Sequence, residues 1–361
     1  MLKTYNTITR PFLGSRRVGE RSPVFHSIGL TVPHPRRLAV SLIKMAEQHP
    51  QKIPRTRAGR NRTIELSPGD ESRLRGSLVF KISDILDDSL DKIICSNAFE
   101  ALKRLPQDRF DLLFADPPYN LTKAFGIQRF RERSIEAYEA WLDSWIRLCM
   151  PLLKETASIY ICGDWRSSSA IQRVGSKYFK PRNRITWERE KGRGAKANWK
   201  NAAEDVWFFT VSDDYTFNLD AVKQRRRVIA PYRVNGRPKD WSETDAGKFR
   251  DTHPSNIWTD ITVPFWSMPE NTDHPTQKPE KLLAKIILAS TNEDDLILDP
   301  FAGSGTTAAV ARKLGRRFVV IESDQDYCLL AARRLEIAAV DSSIQGFAQG
   351  VFWERNSNKW V

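Results

Sequence analysis

The stretch FDLLFADPPYN, residues 110–120, constrains this chain more than any other. Phe110 to Ala115 is an apolar run with the length and composition of a buried strand, and Asp116 stops it with two prolines and a tyrosine behind. Neither strand nor helix continues through Pro117 and Pro118, which lack a backbone N–H and fix φ. The carbonyls of Asp116 and Pro117 are left without a ladder partner and are held outward. A carboxylate, a rigid carbonyl and the ring of Tyr119 therefore meet at one strand tip. Such a set suits a planar base carrying an NH2 group: Asp116 and the Pro117 carbonyl each accept one amine hydrogen while Tyr119 stacks on the ring. Accepting both hydrogens draws the nitrogen lone pair out of conjugation and makes the nitrogen a nucleophile. The plain alternative is a tight turn with no chemical role, and a motif this short does not separate the two.

A second stretch narrows the choice. In LILDPFAGSGTT, residues 296–307, Leu296 to Leu298 reads as a buried strand with Asp299 at its carboxyl end. Gly303 and Gly305 let backbone pass close to a ligand before Thr306 opens a helix. The next strand, RFVVIE, ends in Glu322, 23 residues beyond Asp299, the offset of an acid that takes ribose hydroxyls in nucleoside-binding units. The G-x-G-x-x-G pattern and a phosphate-loop lysine are absent, and an acid at 299 repels a pyrophosphate. It suits a cationic ligand end instead, such as the ammonium of a methionine moiety, and S-adenosylmethionine has that ammonium, a sulfonium and a ribose. Just upstream stands HPTQKP, residues 274–279, followed by a helix from Pro279 to Ser290. Pro279 suits a helix start, and Lys278 lies where a carboxylate would sit near the helix N-terminus.

Around these sites the sequence reads as an α/β chain. KIICS from Lys92 is a short strand ended by Asn97, and a helix runs from Phe99 to Leu105. A helical pattern extends from Ile135 to Leu153 and a second buried strand from Ser158 to Asp164, which makes a crossover unit and a parallel sheet. Further strand-like runs lie at 184–187 and 205–211. From 188 to 271 periodicity fades, and basic runs such as KQRRR stand among Trp199, Trp207, Trp241, Trp258 and Trp266. Trp207 belongs to a core strand. The other tryptophans suit either nucleic-acid contact or local packing.

The formal charge is +13, and residues 1–80 hold 15 Lys and Arg against 5 Asp and Glu, a local net of +10. A polyanion, nucleic acid first, is the natural partner; a solvated basic tail is the bland alternative. Residues 1–62 are proline-rich, with one helix from Leu38 to Gln48. The residues from 63 to 91 read as a lead-in, with Ser67-Pro68 signalling a helix start and Asp84 capping a turn. Cys95, Cys149, Cys162 and Cys328 form no C-x-x-C pair, so neither a zinc site nor a disulfide framework is expected. No apolar run approaches membrane-span length and the start lacks a secretory core, so a soluble cytoplasmic protein is expected.

DPPYN at 116–120, HPTQKP at 274–279, DPFAGSGTT at 299–307 and the acid at 322 together resemble the DNA amino-methyltransferases, in the motif order of their beta group, which is often partnered with restriction endonucleases. The resemblance implies a doubly wound, mostly parallel sheet of the S-adenosylmethionine-dependent type, circularly permuted, with an inserted target-recognition region. The expected division is a basic extension 1–91, a catalytic half 92–187, a recognition region 188–271, a cofactor half 272–340 and a tail 341–361. It also implies that Asp116, Pro117, Pro118 and Tyr119 hold a flipped base. Asp116, Asp299, Pro300, Phe301, Gly303, Ser304, Gly305 and Thr306 then line the cofactor pocket, Glu322 takes the ribose, and Thr276 and Lys278 approach the methionine end. Asn97 stands where such enzymes often carry an acid near the adenine.

The expected activity is methyl transfer to N6 of adenine in double-stranded DNA, without a metal or a covalent intermediate. N4 of cytosine is the close rival, though its enzymes more often carry Ser at the position of Asp116. An RNA or protein methyltransferase, whose turn usually begins with Asn, and an inert DNA-binding module are more distant rivals. A cognate restriction endonuclease and a second copy of the chain are further candidate partners.

Overall fold

The computed structural model divides into two units, Met1–Thr56 and Arg57–Val361. It describes residues 59–85, 90–125, 128–189, 197–229, 231–244 and 247–354, all in the second unit. The expected helix at 38–48 and most of the basic extension lie outside the described residues.

A nine-stranded sheet forms the centre. In chain order its strands are β1 (Leu78–Val79), β2 (Lys92–Cys95), β3 (Phe110–Ala115), β4 (Leu153–Gly163), β5 (Lys180–Glu188), β6 (Ala203–Thr210), β7 (Ile257–Trp258), β8 (Leu296–Asp299) and β9 (Arg317–Glu322). Their spatial order is β1-β2-β9-β8-β3-β4-β6-β5-β7, which puts β3 in the middle. Every neighbouring pair is parallel except the two made by β6, which runs against β4 and β5. The helices are α1 (Asp70–Arg75), α2 (Ala98–Leu102), α3 (Ile135–Cys149), α4 (Ser168–Gly175), α5 (Glu280–Ser290), α6 (Thr306–Lys313) and α7 (Gln325–Val340).

Alternate side chains of β3 serve opposite faces, as strand geometry requires. Leu112 and Phe114 join a core with Leu283, Val310 and Leu329 of α5, α6 and α7, while Leu113 and Ala115 join another with Leu102, Leu142 and Ile171 of α2, α3 and α4. A sheet covered on both faces needs apolar residues on both, and for that reason β3, β8 and β9 read as unbroken apolar runs.

The helix expected from 135 to 153 stops at Cys149. Pro151 cannot extend it, so Met150–Leu152 forms a 3-10 turn and Leu153 already belongs to β4, five residues ahead of the expected strand start. The sequence also gave no sign of α4. At the edges, β1 lies within the expected N-terminal extension but pairs with β2, and Ser67 donates its amide and hydroxyl to Asp70 at the start of α1.

The irregular 188–271 stretch contains more order than its composition suggests. It supplies β6 and β7 to the large sheet, and Gln224–Arg227, Ser242–Thr244 and Gly247–Thr252 to a separate five-stranded sheet. Phe347–Ala348 and Val351–Trp353, from the expected C-terminal tail, complete that second sheet, with Phe352 opposite Gln224 and Trp353 opposite Arg225. Among the described residues no helix is long and apolar enough to cross a membrane.

Candidate active site

Because β3, β8 and β9 are neighbours running parallel, their carboxyl ends bring Asp116, Asp299 and Glu322 to one edge of the sheet. A cavity of about 280 Å³ opens there, near the lower end of the roughly 300–1,000 Å³ of small-molecule sites. It is lined by Asp116, Pro117, Pro118 and Tyr119 on one side and by Asp299, Phe301, Gly303, Ser304, Thr306 and Glu322 on the other, with Thr276 and Lys278 between. The two motifs thus share a single cavity.

The 116–120 turn is braced from three directions. The Tyr138 hydroxyl donates to the Pro118 carbonyl at 3.1 Å. Asn120 clasps the loop that follows, donating to the Arg133 carbonyl at 2.9 Å and accepting from the Arg133 amide at 2.8 Å. Among the described residues nothing donates to the Pro117 carbonyl, so that acceptor stays available, as the consecutive prolines suggested. The Tyr119 hydroxyl lies 2.9 Å from Asp116 Oδ1 and 3.2 Å from Glu204 Oε2. Burial, then the carboxylates of Asp116 and Glu204, push that hydroxyl well above the ordinary tyrosine range.

Lys278 enters from the opposite wall. Its Nζ sits 2.6 Å from Asp116 Oδ2, 3.2 Å from the Tyr119 hydroxyl and 3.5 Å from Glu204 Oε2. Burial works to lower its pKa, but Asp116 and Glu204 outweigh it and hold the ammonium above the ordinary lysine range. Its backbone belongs to the other motif, since the Thr306 hydroxyl donates to the Lys278 carbonyl at 3.0 Å.

Asp299 is buried, accepting from the Thr307 hydroxyl at 2.5 Å and the Phe301 amide at 2.9 Å. Burial raises its pKa to about 7 despite those two donors. Glu322 is also raised by burial, against the backbone N–H groups of Asp324, Gly303 and Ser323 that its carboxylate accepts. Gly303 has φ 53° and faces His274; a Cβ there would come within 2.9 Å of Nε2. Phe301 lines the cavity from above Trp145, ring to edge at 5.2 Å.

Residues 110–333, more than half of the chain, match the DNA methylase family. The chain belongs to that family. Over 257 residues this DNA methylase is 37% identical to the DNA adenine methyltransferase YhdJ of Escherichia coli (strain K12), a match covering 68% of this chain and 83% of that protein. It is 33% identical over 261 residues to the type II methyltransferase M.HpaI of Haemophilus parainfluenzae, covering 71% and 76%. The fold resembles that of the PvuII DNA methyltransferase (cytosine-N4-specific), with a TM-score of 0.50 at 19% identity over 67% of this chain and 85% of that one.

Three expected pocket residues do not line the cavity of this DNA methylase. Asn97 is exposed and caps α2, accepting from the Phe99 amide at 2.9 Å. Pro300 is buried beside the loop. Gly305 packs closely on α7: at φ 75°, an added Cβ would lie 2.4 Å from Ala331 Cβ.

The sequence also left out several lining residues. Glu204 and Arg189, which form an ion pair, reach the cavity from β6 and the end of β5. Asp164 and His274 line it too. Glu204 stands at the start of an apolar strand with no fixed spacing to the DPPY turn, so only the sheet order brings it there. His274 stood in a motif already singled out.

Proposed function

We propose that this DNA methylase transfers a methyl group from S-adenosylmethionine to the exocyclic N6 of adenine in double-stranded DNA. The observation that carries this is the single cavity shared by the Asp116–Tyr119 turn and the Asp299–Thr307 loop. The residues present suit the cofactor. Among the described residues no cation pairs with Asp299, a buried carboxyl at about 7 that invites one. Glu322 keeps lone pairs for ribose hydroxyls, Gly303 lines the cavity without a side chain, and Thr276, Ser304 and Thr306 supply polar groups around the amino-acid end.

When bound, the cofactor supplies a methyl group activated by a sulfonium sulfur. The chain's own residues do the rest. Asp116 and the Pro117 carbonyl each accept one hydrogen of the flipped adenine amine, and Tyr119, tethered through its hydroxyl, supports the ring. Held this way, the nitrogen lone pair would form the N–C bond as the methyl carbon's bond to sulfur breaks, with that electron pair staying on sulfur. The nitrogen so methylated would carry a positive charge and pass one proton to the Asp116 carboxylate, which would release it to solvent, while the Pro117 carbonyl keeps only its hydrogen bond. Alignment, more than base strength, provides the rate.

The order of the two halves, with the base turn on β3 ahead of the cofactor loop on β8, supports a circularly permuted arrangement with 188–271 as the inserted recognition region. The type II relatives support a role beside a cognate endonuclease, and action on DNA supports a cytoplasmic location. The test is incubation of the purified protein with labelled cofactor and duplex DNA, followed by base analysis and mapping of modified sites. N6-methyladenine is expected, and N4-methylcytosine or unmodified DNA would overturn the assignment. Asp116→Ala should abolish transfer while retaining part of the cofactor affinity, and unchanged turnover would defeat the role given to Asp116.

A further inference from the structure

Both oxygens of Asp116 are already engaged. Oδ1 faces the Tyr119 hydroxyl at 2.9 Å and Oδ2 the Lys278 ammonium at 2.6 Å. The same ammonium lies 5.4 Å from the centre of the Tyr119 ring. A nitrogen bearing hydrogens thus already bonds the carboxylate and sits beside the ring that the adenine amine was assigned above, on the one Asp116 oxygen that Tyr119 leaves open. Oδ2 cannot keep this short contact with the ammonium and also take the amine at full strength.

Lys278 has somewhere else to go. Asp116, Asp164, Glu204, Asp299, Glu322 and Asp324 line the cavity as acids, against Lys278 and Arg189 as the lysine and arginine side chains. Arg189 is paired with Glu204. An anionic group entering beside the 299–307 loop therefore finds Lys278 as its natural cation. The lysine is rooted on that side, with its carbonyl bonded by Thr306. Glu204, 4% exposed and 3.5 Å from Nζ, helps hold the ammonium across the cavity until then.

We propose that Lys278 is a positioning residue which keeps the base seat closed in the free enzyme and leaves Asp116 for the carboxylate of the cofactor's methionine end, so that cofactor binding precedes capture of the base. This rests on the methyl-transfer function proposed above. It makes the two binding events cooperative, and each strengthens the other by the same factor.

The test measures binding without turnover. A duplex with 2-aminopurine at the mapped target base reports base capture by fluorescence, with and without S-adenosylhomocysteine, which has the carboxylate but no methyl to give. Wild-type capture should tighten by about tenfold or more with that ligand, within the roughly 5–150-fold range of such couplings. In Lys278→Met, capture should no longer depend on the ligand. Its affinity for S-adenosylhomocysteine should fall, while 5′-methylthioadenosine, which lacks the amino-acid end, should bind both proteins equally. Glu204→Gln, which keeps Lys278 and Asp116, should show a reduced coupling and guards against misfolding of the methionine variant. Wild-type capture indifferent to the ligand overturns the proposal, as does equal affinity of S-adenosylhomocysteine for wild type and Lys278→Met. If the wild type binds no S-adenosylhomocysteine at all, the cofactor assignment falls first and the latch with it.

Discussion

Asp299 keeps its carboxyl at about 7 chiefly because it is buried, with Asp116 and Glu322 adding like charge and Thr307 and Phe301 offering only partial relief. In the unfolded chain the same group releases its proton near the ordinary carboxylate value of 3.8. The folded state thus holds a proton that the unfolded state has lost, and this group's contribution to stability falls as pH rises from about 4 to about 7. A cation docking against Asp299 favours the ionised form and reverses the trend for binding. Affinity for S-adenosylhomocysteine should therefore rise by up to about tenfold between pH 6 and 8, with proton release detectable by calorimetry at the lower pH. Asp299→Asn should remove both the slope and the proton release. The place of this residue at the cavity could be foreseen from the sequence, because an acid at the end of an apolar strand, ahead of a glycine loop, has few structural uses. Glu204 was not legible, since its partners Tyr119, Lys278 and Arg189 come from separate elements that no sequence spacing connects.

The join between α6 and α7 depends on Gly305. The left-handed backbone there costs an L side chain about 1–2 kcal/mol, and the Cβ would drive into Ala331, a further cost of about 1–3 kcal/mol for overpacking. Gly305→Ala should lower unfolding free energy by about 2–5 kcal/mol in denaturant titration, and an unchanged midpoint would contradict this packing. Elements such as β3, β8 and β9 could be foreseen because burial on both faces leaves a continuous apolar signature. The helix α4 was hidden by its serine-rich opening, where Ser168 is buried by accepting from the Trp207 indole and donating to Asp205. The second sheet was hidden for a different reason. Strands such as Gln224–Arg227 alternate weakly and are fixed by partners far along the chain, as in the bidentate pair between Arg225 and Asp251.

Across the whole molecule the two sheets are coupled through α5. Lys285 is buried against Asp260 at 2.7 Å, with its pKa lowered to about 8 by that burial, and its ammonium lies near the rings of Trp258 and Phe352. Lys281 donates to the Asp260 and Trp353 carbonyls. Phe352 is fully buried at this junction. Phe352→Ala should cost about 3–5 kcal/mol of stability and weaken DNA binding more than cofactor binding; equal losses in the two affinities would argue against a separate role for the second sheet. The placing of Phe347–Ala348 and Val351–Trp353 beside Gln224–Arg227 also bears on how target preference can be re-engineered. On the target-recognition role proposed for 188–271, a graft of that segment from a relative would bring one flank of that sheet and leave the other behind. A working chimera therefore needs two cuts, with the final strands travelling alongside the segment they complete.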